Sequence, residues 1–242
     1  MKREEYIDRK FRDFGISLSQ VQVKQFLDYA DLLVEWNSLM NLTAITEFEE
    51  IIQKHFIDSL SLHVLQDVSR ETSCKTLIDV GTGAGFPGIP LKIVYPELQL
   101  TLLDSLKKRI GFLEEVVRLL GIENVEAIHG RAEEIAHKQE YREKFDLCVS
   151  RAVANLSTLS EYCLPFIHKN GYFISYKTVD IRTELENASK SMHILGGKVV
   201  HKEFFTLPGS DIQRSLIVIE KIGKTPEKYP RKAGLPSRQP LS

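Results

Sequence analysis

The sequence predicts an α/β fold, in which a helical N-terminal extension precedes a mostly parallel seven-stranded sheet that closes with an antiparallel hairpin. Apolar residues recur at helical spacing up to about residue 67. From Lys75 onward, short apolar strands alternate with helical segments, which is typical of a sheet built from right-handed crossovers. Two β-rich runs near the C-terminus have no helix between them, so they predict the hairpin.

The extension is placed at residues 1–70, and two of its helices have recognisable starts. The first begins after Ser19, whose hydroxyl can cap it, and its apolar stripe includes Phe26. The second is predicted from Thr46 and Glu49, which have the spacing of a capping box.

The sheet domain is placed at residues 71–223. Its predicted strands are Thr76–Val80, Gln99–Asp104, Val125–His129, Phe145–Ser150, Tyr172–Tyr176, Lys198–Leu207 and Arg214–Lys221. Its predicted helical segments are Gly88–Val94, Leu106–Leu120, a short turn at Glu133–Ala136, Leu156–Pro165 and Ile181–Leu195. The remaining residues, 224–242, form a basic tail with four prolines, for which we predict an extended conformation.

The composition limits the class of protein. The 242 residues suffice for one large domain with an extension, and a net charge of −1 means that nucleic-acid binding must come from local patches. The N-terminus has no apolar run, the three cysteines form no paired framework, and no apolar stretch is long enough to span a bilayer. We therefore expect a cytoplasmic monomer with no membrane partner.

The glycine-rich stretch after the first strand carries most of the functional information. Gly81, Gly83 and Gly85 stand at every second position and lead into a helix. Alternating glycines let the backbone turn sharply and approach a ligand, while the helix directs unpaired N–H groups towards it. Asp79 adds an acceptor at the carboxyl end of the strand, where open α/β sheets bind ligands. The stretch predicts a nucleotide-type cofactor pocket.

Two cofactor classes fit this loop. The spacing of Gly83, Gly85 and Gly88, with Asp104 further on, satisfies the dinucleotide fingerprint. An acidic residue followed by three alternating glycines instead resembles motif I of S-adenosylmethionine (SAM)-dependent methyltransferases. A dinucleotide fold continues with βαβ units, whereas the methyltransferase sheet ends in an antiparallel pair. The predicted hairpin therefore favours SAM.

Four blocks of sequence together resemble the glucose-inhibited division protein B (RsmG) family of bacterial 16S ribosomal RNA (guanine-N7) methyltransferases. The blocks are Trp36–Thr43, His55–Leu60, Asp79–Pro90 with Leu102–Leu106, and Val149–Ala152. The resemblance extends over nearly the whole chain, and the double-proline form of the glycine loop is more specific than the general motif. It implies a Rossmann-like SAM-dependent methyltransferase fold with an N-terminal helical extension. It also implies methylation of a guanine in the decoding-region loop of 16S rRNA, in the small ribosomal subunit or its precursor.

The predicted cofactor-binding residues are Asp79, Gly81, Gly83, Phe86, Asp104, Ala132, Glu133 and Arg151. Phe86 is expected beside the methionine end of SAM, with a core position as the alternative. Asp104 is expected to accept from the ribose hydroxyls, with a helix-capping role as the alternative. The family pattern places Ala132 and Glu133 at the adenine, although Glu133 can also be interpreted as part of a solvated helix start.

Three residues are predicted to contact the RNA, namely Arg151, Lys177 and His55. Arg151 ends the fourth strand and can hold a carboxylate or an RNA phosphate bidentately, and Lys177 ends the fifth strand. A structural ion pair is the alternative for both. For His55, RNA-contacting and structural roles are equally supported, whereas Asn41 and Asp58 are predicted to join the helices to the sheet. The scattered histidines predict no metal site.

No general base is predicted. The chain lacks the Asn/Asp-Pro-Pro-aromatic motif of amino-group methyltransferases, and Cys148 should be buried within a strand and inert. Guanine N7 has a free lone pair and loses no proton, so in-line placement is enough. Two alternatives remain, a small-molecule methyltransferase with a helical lid and an RNA-binding module that holds SAM only structurally. The basic residues Lys107–Arg109 and the basic tail argue against a small neutral substrate.

Overall fold

The computed structural model describes residues 1–65, 74–178 and 181–241. Its centre is a seven-stranded sheet of order β3-β2-β1-β4-β5-β7-β6. The strands are β1 Thr76–Val80, β2 Gln99–Asp104, β3 Val125–His129, β4 Phe145–Ser150, β5 Ile167–Lys177, β6 Gly197–Thr206 and β7 Gln213–Lys221. The first five pair in parallel, while β7 runs antiparallel to both β5 and β6. The predicted α/β fold with a closing hairpin is confirmed.

The helices surround this sheet. They are α1 Arg3–Asp13, α2 Gln20–Met40, α3 Phe48–Ile51, α4 Gly88–Val94, α5 Lys107–Leu120, α6 Ala132–Ile135, α7 Leu156–Cys163, α8 Arg182–Ile194 and α9 Leu235–Arg238. A π-helical turn, Ile52–Ile57, continues directly from α3. The predicted boundary between residues 70 and 71 lies outside the described residues.

The two predicted helix caps have different outcomes. The Ser19 hydroxyl accepts a hydrogen bond from the Gln22 backbone N–H, so the predicted N-cap is confirmed. The Gln22 side chain in turn accepts from the Ser19 backbone N–H, which completes a capping box that the sequence analysis did not predict. The box at Thr46 is wrong, because α3 begins after Glu47 without a side-chain cap.

The extension and the sheet share one hydrophobic core. Phe26 packs 4.6 Å from the Phe11 ring and 5.0 Å from the Phe56 ring, measured between centroids, and all three are fully buried. This cluster continues to Leu77 of β1, while the neighbouring Ile78 points into a second cluster on the other face. The alternation along β1 explains how a strand this apolar supports helices on both faces.

The basic tail folds back onto the sheet domain, contrary to the predicted extended conformation. Arg231 forms a salt bridge with buried Glu161, and Gly234 bonds to Glu133 before the short helix α9. The charges and prolines that indicated a solvated tail therefore serve as anchors. Across the described part of the chain, no helix is long and apolar enough to cross a membrane.

Candidate cofactor and substrate site

In the glycine loop between β1 and α4, one glycine packs against the extension and another faces open space. Gly81, Gly83 and Gly85 all have positive φ values, of 73°, 63° and 95°. A Cβ on Gly85 would lie 2.6 Å from the Tyr29 hydroxyl of α2, whereas one on Gly83 would meet no heavy atom within 4 Å. Gly85 therefore lets the extension approach the loop, while Gly83 leaves space for a ligand.

Asp79 lies fully buried behind this loop. Its Oδ2 accepts hydrogen bonds of 2.8 Å from the Thr82 hydroxyl and from the Gly88 backbone. Its Oδ1 is buried and has no hydrogen-bond partner among the described residues. Burial raises the pKa of Asp79 to about 7 despite these donors. The carboxylate therefore has one oxygen available for a donor that the described chain does not provide.

Asp104, at the end of β2, already receives three hydrogen bonds. Its Oδ1 accepts from the Leu106 backbone at 2.9 Å, and its Oδ2 accepts from the Gly83 backbone at 2.9 Å. The Arg109 guanidinium adds a contact of 3.1 Å to Oδ2. The helix-capping alternative is not realised, because α5 begins after Leu106 without a side-chain cap. The Asp104 carboxylate instead lies beside the open glycine, Gly83.

Phe86 lies in a stack of side chains that joins the loop to the extension. The His55 ring is nearly parallel to it, at 4.6 Å and 11°, and the Tyr29 ring follows at 5.4 Å. The Arg151 guanidinium carbon lies 5.1 Å from the centre of the Phe86 ring, as in a cation–π contact. Phe86 is buried, so the core interpretation holds together with its place in the loop.

His55 is a neutral hydrogen-bonding residue in this stack. Its Nδ1 lies 3.3 Å from the Arg151 guanidinium, which can only donate, so Nδ1 accepts and Nε2 carries the proton. Nε2 then donates to the Thr43 hydroxyl at 2.8 Å. Burial, and secondly the charge of Arg151, lower the pKa of His55 to about 3. The π-helical turn presents the ring to both partners.

Asp58 is the acidic centre that holds Arg151 in place. Its Oδ2 accepts from Arg151 at 2.9 Å, and its Oδ1 accepts from Arg214 of β7 at 2.8 Å. The Asp58 side chain is only 4% exposed, and it joins the extension to two strands as predicted. The prediction for Asn41 is wrong, because Asn41 is exposed and ends α2 in the left-handed conformation.

Lys177 and Glu133 each have a partner within the chain. The Lys177 ammonium lies 2.6 Å from Glu184 and donates to the Ala154 carbonyl, so the ion-pair alternative is present. Glu133 is 6% exposed and accepts from the Gly234 backbone at 2.8 Å, which excludes a solvated helix start.

A cleft of about 710 Å³ lies between the extension and the ends of β4, β5 and β7. Its charged lining comprises the cations Lys54, Arg151, Lys177 and Arg214 and the carboxylates Asp58 and Glu184. With His55 neutral, the cleft carries an excess of two positive charges. Ala152 lines it as well, and its Cβ lies 3.3 Å from where a Cβ on Gly81 would be. The cleft therefore borders the glycine loop.

A family model described as rRNA small subunit methyltransferase G matches residues 22–217. The chain belongs to this family. A relative from Lachnoclostridium phytofermentans, named ribosomal RNA small subunit methyltransferase G, is 55% identical over 95% of this chain and 94% of its own length. A protein of the same name from Alkaliphilus oremlandii is 49% identical over the full length of both chains.

Solved structures agree on the fold of this rRNA small subunit methyltransferase G family member. A variant of MtNAS in complex with S-adenosylmethionine superimposes with a TM-score of 0.55 at 16% identity, covering 91% of this chain and 78% of that one. TrmN from Thermus thermophilus gives 0.51 at 14% identity, covering 71% and 53%. Membership of this family makes the protein a SAM-dependent methyltransferase, and the superpositions show its Rossmann-like fold.

The cofactor is SAM, and the site fits such a molecule. The partnerless Asp79 oxygen suits a ligand that carries an ammonium group, and the space over Gly83 suits one that touches the backbone. Asp104 lies at the strand end where a ribose would be held. These features lie along one edge of the sheet, as the loop sequence predicts.

Sequence reasoning missed three charged members of the cleft, Lys54, Glu184 and Arg214. Arg214 reaches Asp58 from a strand 156 residues further along the chain. Nothing in its local sequence distinguishes it from an ordinary surface arginine of a β-strand. Only the insertion of β7 beside β5, which brings this strand to the same sheet edge, gives Arg214 its position.

Proposed function

We propose that the protein transfers the methyl group of SAM to N7 of a specific guanine in the decoding-region loop of 16S rRNA. It would act in the cytoplasm, as a monomer, on the small ribosomal subunit or its precursor. The observation that carries the proposal is the positively charged cleft that borders the glycine loop. An RNA nucleotide is an anion, whereas a small neutral substrate has no use for this excess of positive charge.

The cofactor-binding residues are proposed from their places around the loop. Asp79 would accept from the ammonium group of SAM, and Gly81 and Gly83 would lie under it. Phe86 would bound the methionine end and Asp104 would hold the ribose. The adenine would lie against the Ala132 backbone and Glu133.

The cleft fits an acceptor that needs no deprotonation. SAM supplies an electrophilic methyl group on a sulfonium centre. His55, which lies in the cleft, has a pKa of about 3 and both ring nitrogens engaged, so it is a poor base. Asp58 is held by two arginines. The guanine N7 lone pair requires no proton transfer, so orientation by Arg151, His55 and Lys177 would be the contribution of this chain.

The first test uses labelled SAM and small subunits from cells that lack the enzyme. After incubation, borohydride and aniline cleave RNA at 7-methylguanine. We expect a single cleavage in the decoding-region loop. Labelled RNA that resists cleavage would contradict N7, and no label in either subunits or naked RNA would return the small-molecule alternative to first place.

Replacing Arg151 separates an enzyme from a binding module. In Arg151→Ala, we expect turnover to fall at least 100-fold because the group oriented by Asp58 and His55 is lost, while RNA binding changes only a few-fold. Single-turnover methylation and filter binding measure the two effects. Unchanged turnover would contradict a role for Arg151 at the reacting base.

A further inference from the structure

The C-terminal residues 225–241, called the strap below, are held firmly against the sheet domain. The Arg142 guanidinium donates to the carbonyls of Thr225 at 3.0 Å, Pro226 at 3.2 Å and Tyr229 at 2.9 Å. The family model ends at residue 217, so the strap lies beyond it. Because three carbonyls of the strap accept hydrogen bonds from one guanidinium, the path of its backbone over the sheet domain is fixed.

A second anchor fixes the middle of the strap. Arg231 donates to Glu161 through its backbone N–H at 2.7 Å, through Nε at 2.9 Å and through Nη2 at 2.7 Å. The Glu161 side chain has no exposed surface, so this carboxylate depends on Arg231 for its charge to be buried. The pair places the next residues of the strap directly over α6.

The strap then reaches Glu133, one of the two residues proposed to contact the adenine of SAM. Gly234, with φ of 80°, donates its backbone N–H to Glu133 Oε1 at 2.8 Å. Glu133 belongs to the Ala132–Glu133 pair that we place at the adenine. The Tyr162 hydroxyl also hydrogen-bonds to this carboxylate. These two donors give the carboxylate a defined orientation, and its oxygens keep lone pairs that can accept a further hydrogen bond.

We propose that the strap is part of the adenine subsite, with Gly234 as a positioning residue that acts through Glu133. Glu133 would accept, through one of its remaining lone pairs, from the exocyclic amino group of adenine, which would favour adenine over a base with a carbonyl at that position. This inference rests on the proposed placement of the cofactor. It adds a determinant of cofactor selectivity that lies outside the glycine loop.

The test changes only the backbone preference of residue 234. A Cβ on Gly234 would meet no heavy atom within 4 Å, so a substitution there strains the left-handed conformation without causing a clash. Gly234→Val opposes that conformation, whereas Gly234→Asn tolerates it. Gly121→Val is the matched control, because Gly121 has φ of 59°, is equally open and ends α5 away from Glu133.

The readout is the ratio of dissociation constants for S-adenosylhomocysteine and S-inosylhomocysteine, measured by calorimetry. We expect Gly234→Val to reduce the selectivity for adenine at least fivefold and to raise KM for SAM with little change in kcat. Gly234→Asn and Gly121→Val should keep the wild-type ratio. An unchanged ratio in Gly234→Val, or an equal loss in Gly121→Val, would overturn the inference.

A further variant keeps this outcome distinct from failure of the proposed function. Glu133→Gln should lose the selectivity as Gly234→Val does. If wild type binds neither compound, the proposed cofactor site is wrong. If wild type selects adenine but Glu133→Gln selects it equally well, the adenine lies elsewhere and the strap has no role in reading it.

Discussion

His55 shows how the extension controls a single residue of the site. The ring stacks on Phe86, donates to Thr43 and accepts from Arg151, and each of these contacts requires the neutral imidazole in one tautomer. The sequence left two roles open for this histidine. Its partners lie 12 residues before it and 96 residues after it, so local spacing had no means of identifying them.

Because the pKa of His55 falls from 6.5 to about 3 on folding, acid should destabilise the protein through this residue. The unfolded chain binds a proton below pH 6.5 that the folded chain refuses down to about pH 3, so stability is present above pH 6.5 and is lost as the pH falls. Between pH 7 and pH 5 we expect His55 to account for a loss of about 2 kcal/mol.

Urea unfolding of wild type and His55→Asn at both pH values measures this difference. Other titrating groups, including Asp79, affect both proteins alike and cancel. The stability gap between the two proteins should therefore narrow at pH 5. A gap that is independent of pH would show that His55 is not held neutral.

The proposed contact between Asp79 and the ammonium group of SAM would link cofactor affinity to pH. Its pKa of about 7 means that the free enzyme is about half protonated at neutral pH, whereas an ammonium ligand requires the carboxylate. Below pH 7, the affinity for SAM should fall by up to tenfold per pH unit, since binding must expel the proton. Calorimetric titrations from pH 5.5 to 7.5 measure this slope. Asp79→Asn should bind weakly and lose the slope, and a slope that survives in that variant would assign the proton to another group.

At the level of elements, the N-cap predicted at Ser19 allows its contribution to stability to be estimated. Ser19→Ala removes the acceptor for the Gln22 N–H at the start of a 21-residue helix. We expect a loss of about 1 kcal/mol in the free energy of unfolding. Chemical denaturation checks the value, with Ser38→Ala, an exposed serine near the end of the same helix, as the control. Equal losses in both variants would mean that the cap contributes nothing special.

The strands were predictable because successive side chains along a strand contact different hydrophobic clusters on the two faces of the sheet. Leu77 belongs to one cluster and Ile78 to the other. The start of β5 at Ile167 was not predictable, because residues 168–170 are polar and lie where the pairing with β4 is irregular, between the partners Phe145–Ile167 and Leu147–Tyr172. Gly171 permits this course, since a Cβ there would lie 2.6 Å from the Asp146 carbonyl oxygen.

The sequence predicted neither the π-helical turn nor the folded conformation of the strap, and the physical reason is the same for both. The turn after α3 looks like ordinary amphipathic helix in sequence, and what it achieves is a rotation of His55 towards Phe86. The strap looks like a solvated tail because its stabilising partner, Glu161, is a buried carboxylate on α7. In both cases the deciding partner is distant in sequence.

For the molecule as a whole, the net charge of −1 gives no sign of the local excess of positive charge in the cleft. The cationic cleft should make RNA binding depend on salt, with each phosphate contact adding about 0.7 to the slope of log K against log salt for single-stranded RNA. Lys54→Ala should lower the slope by about that amount. Arg118→Ala removes the same charge from an exposed position outside the cleft and should not change it. Filter binding at several salt concentrations checks both, and equal slopes in the two variants would exclude the cleft as the RNA contact.

The pairing of Asp58 with Arg214 has a consequence for the timing of synthesis. The two residues are 156 positions apart, and a ribosome that adds about 5–20 residues per second needs roughly 8–30 s to pass from one to the other. During that interval the emerging chain carries Asp58 without its second arginine. The cleft is therefore completed only after Arg214 has been made, so a nascent chain that has not yet reached this residue has no finished site with which to modify RNA.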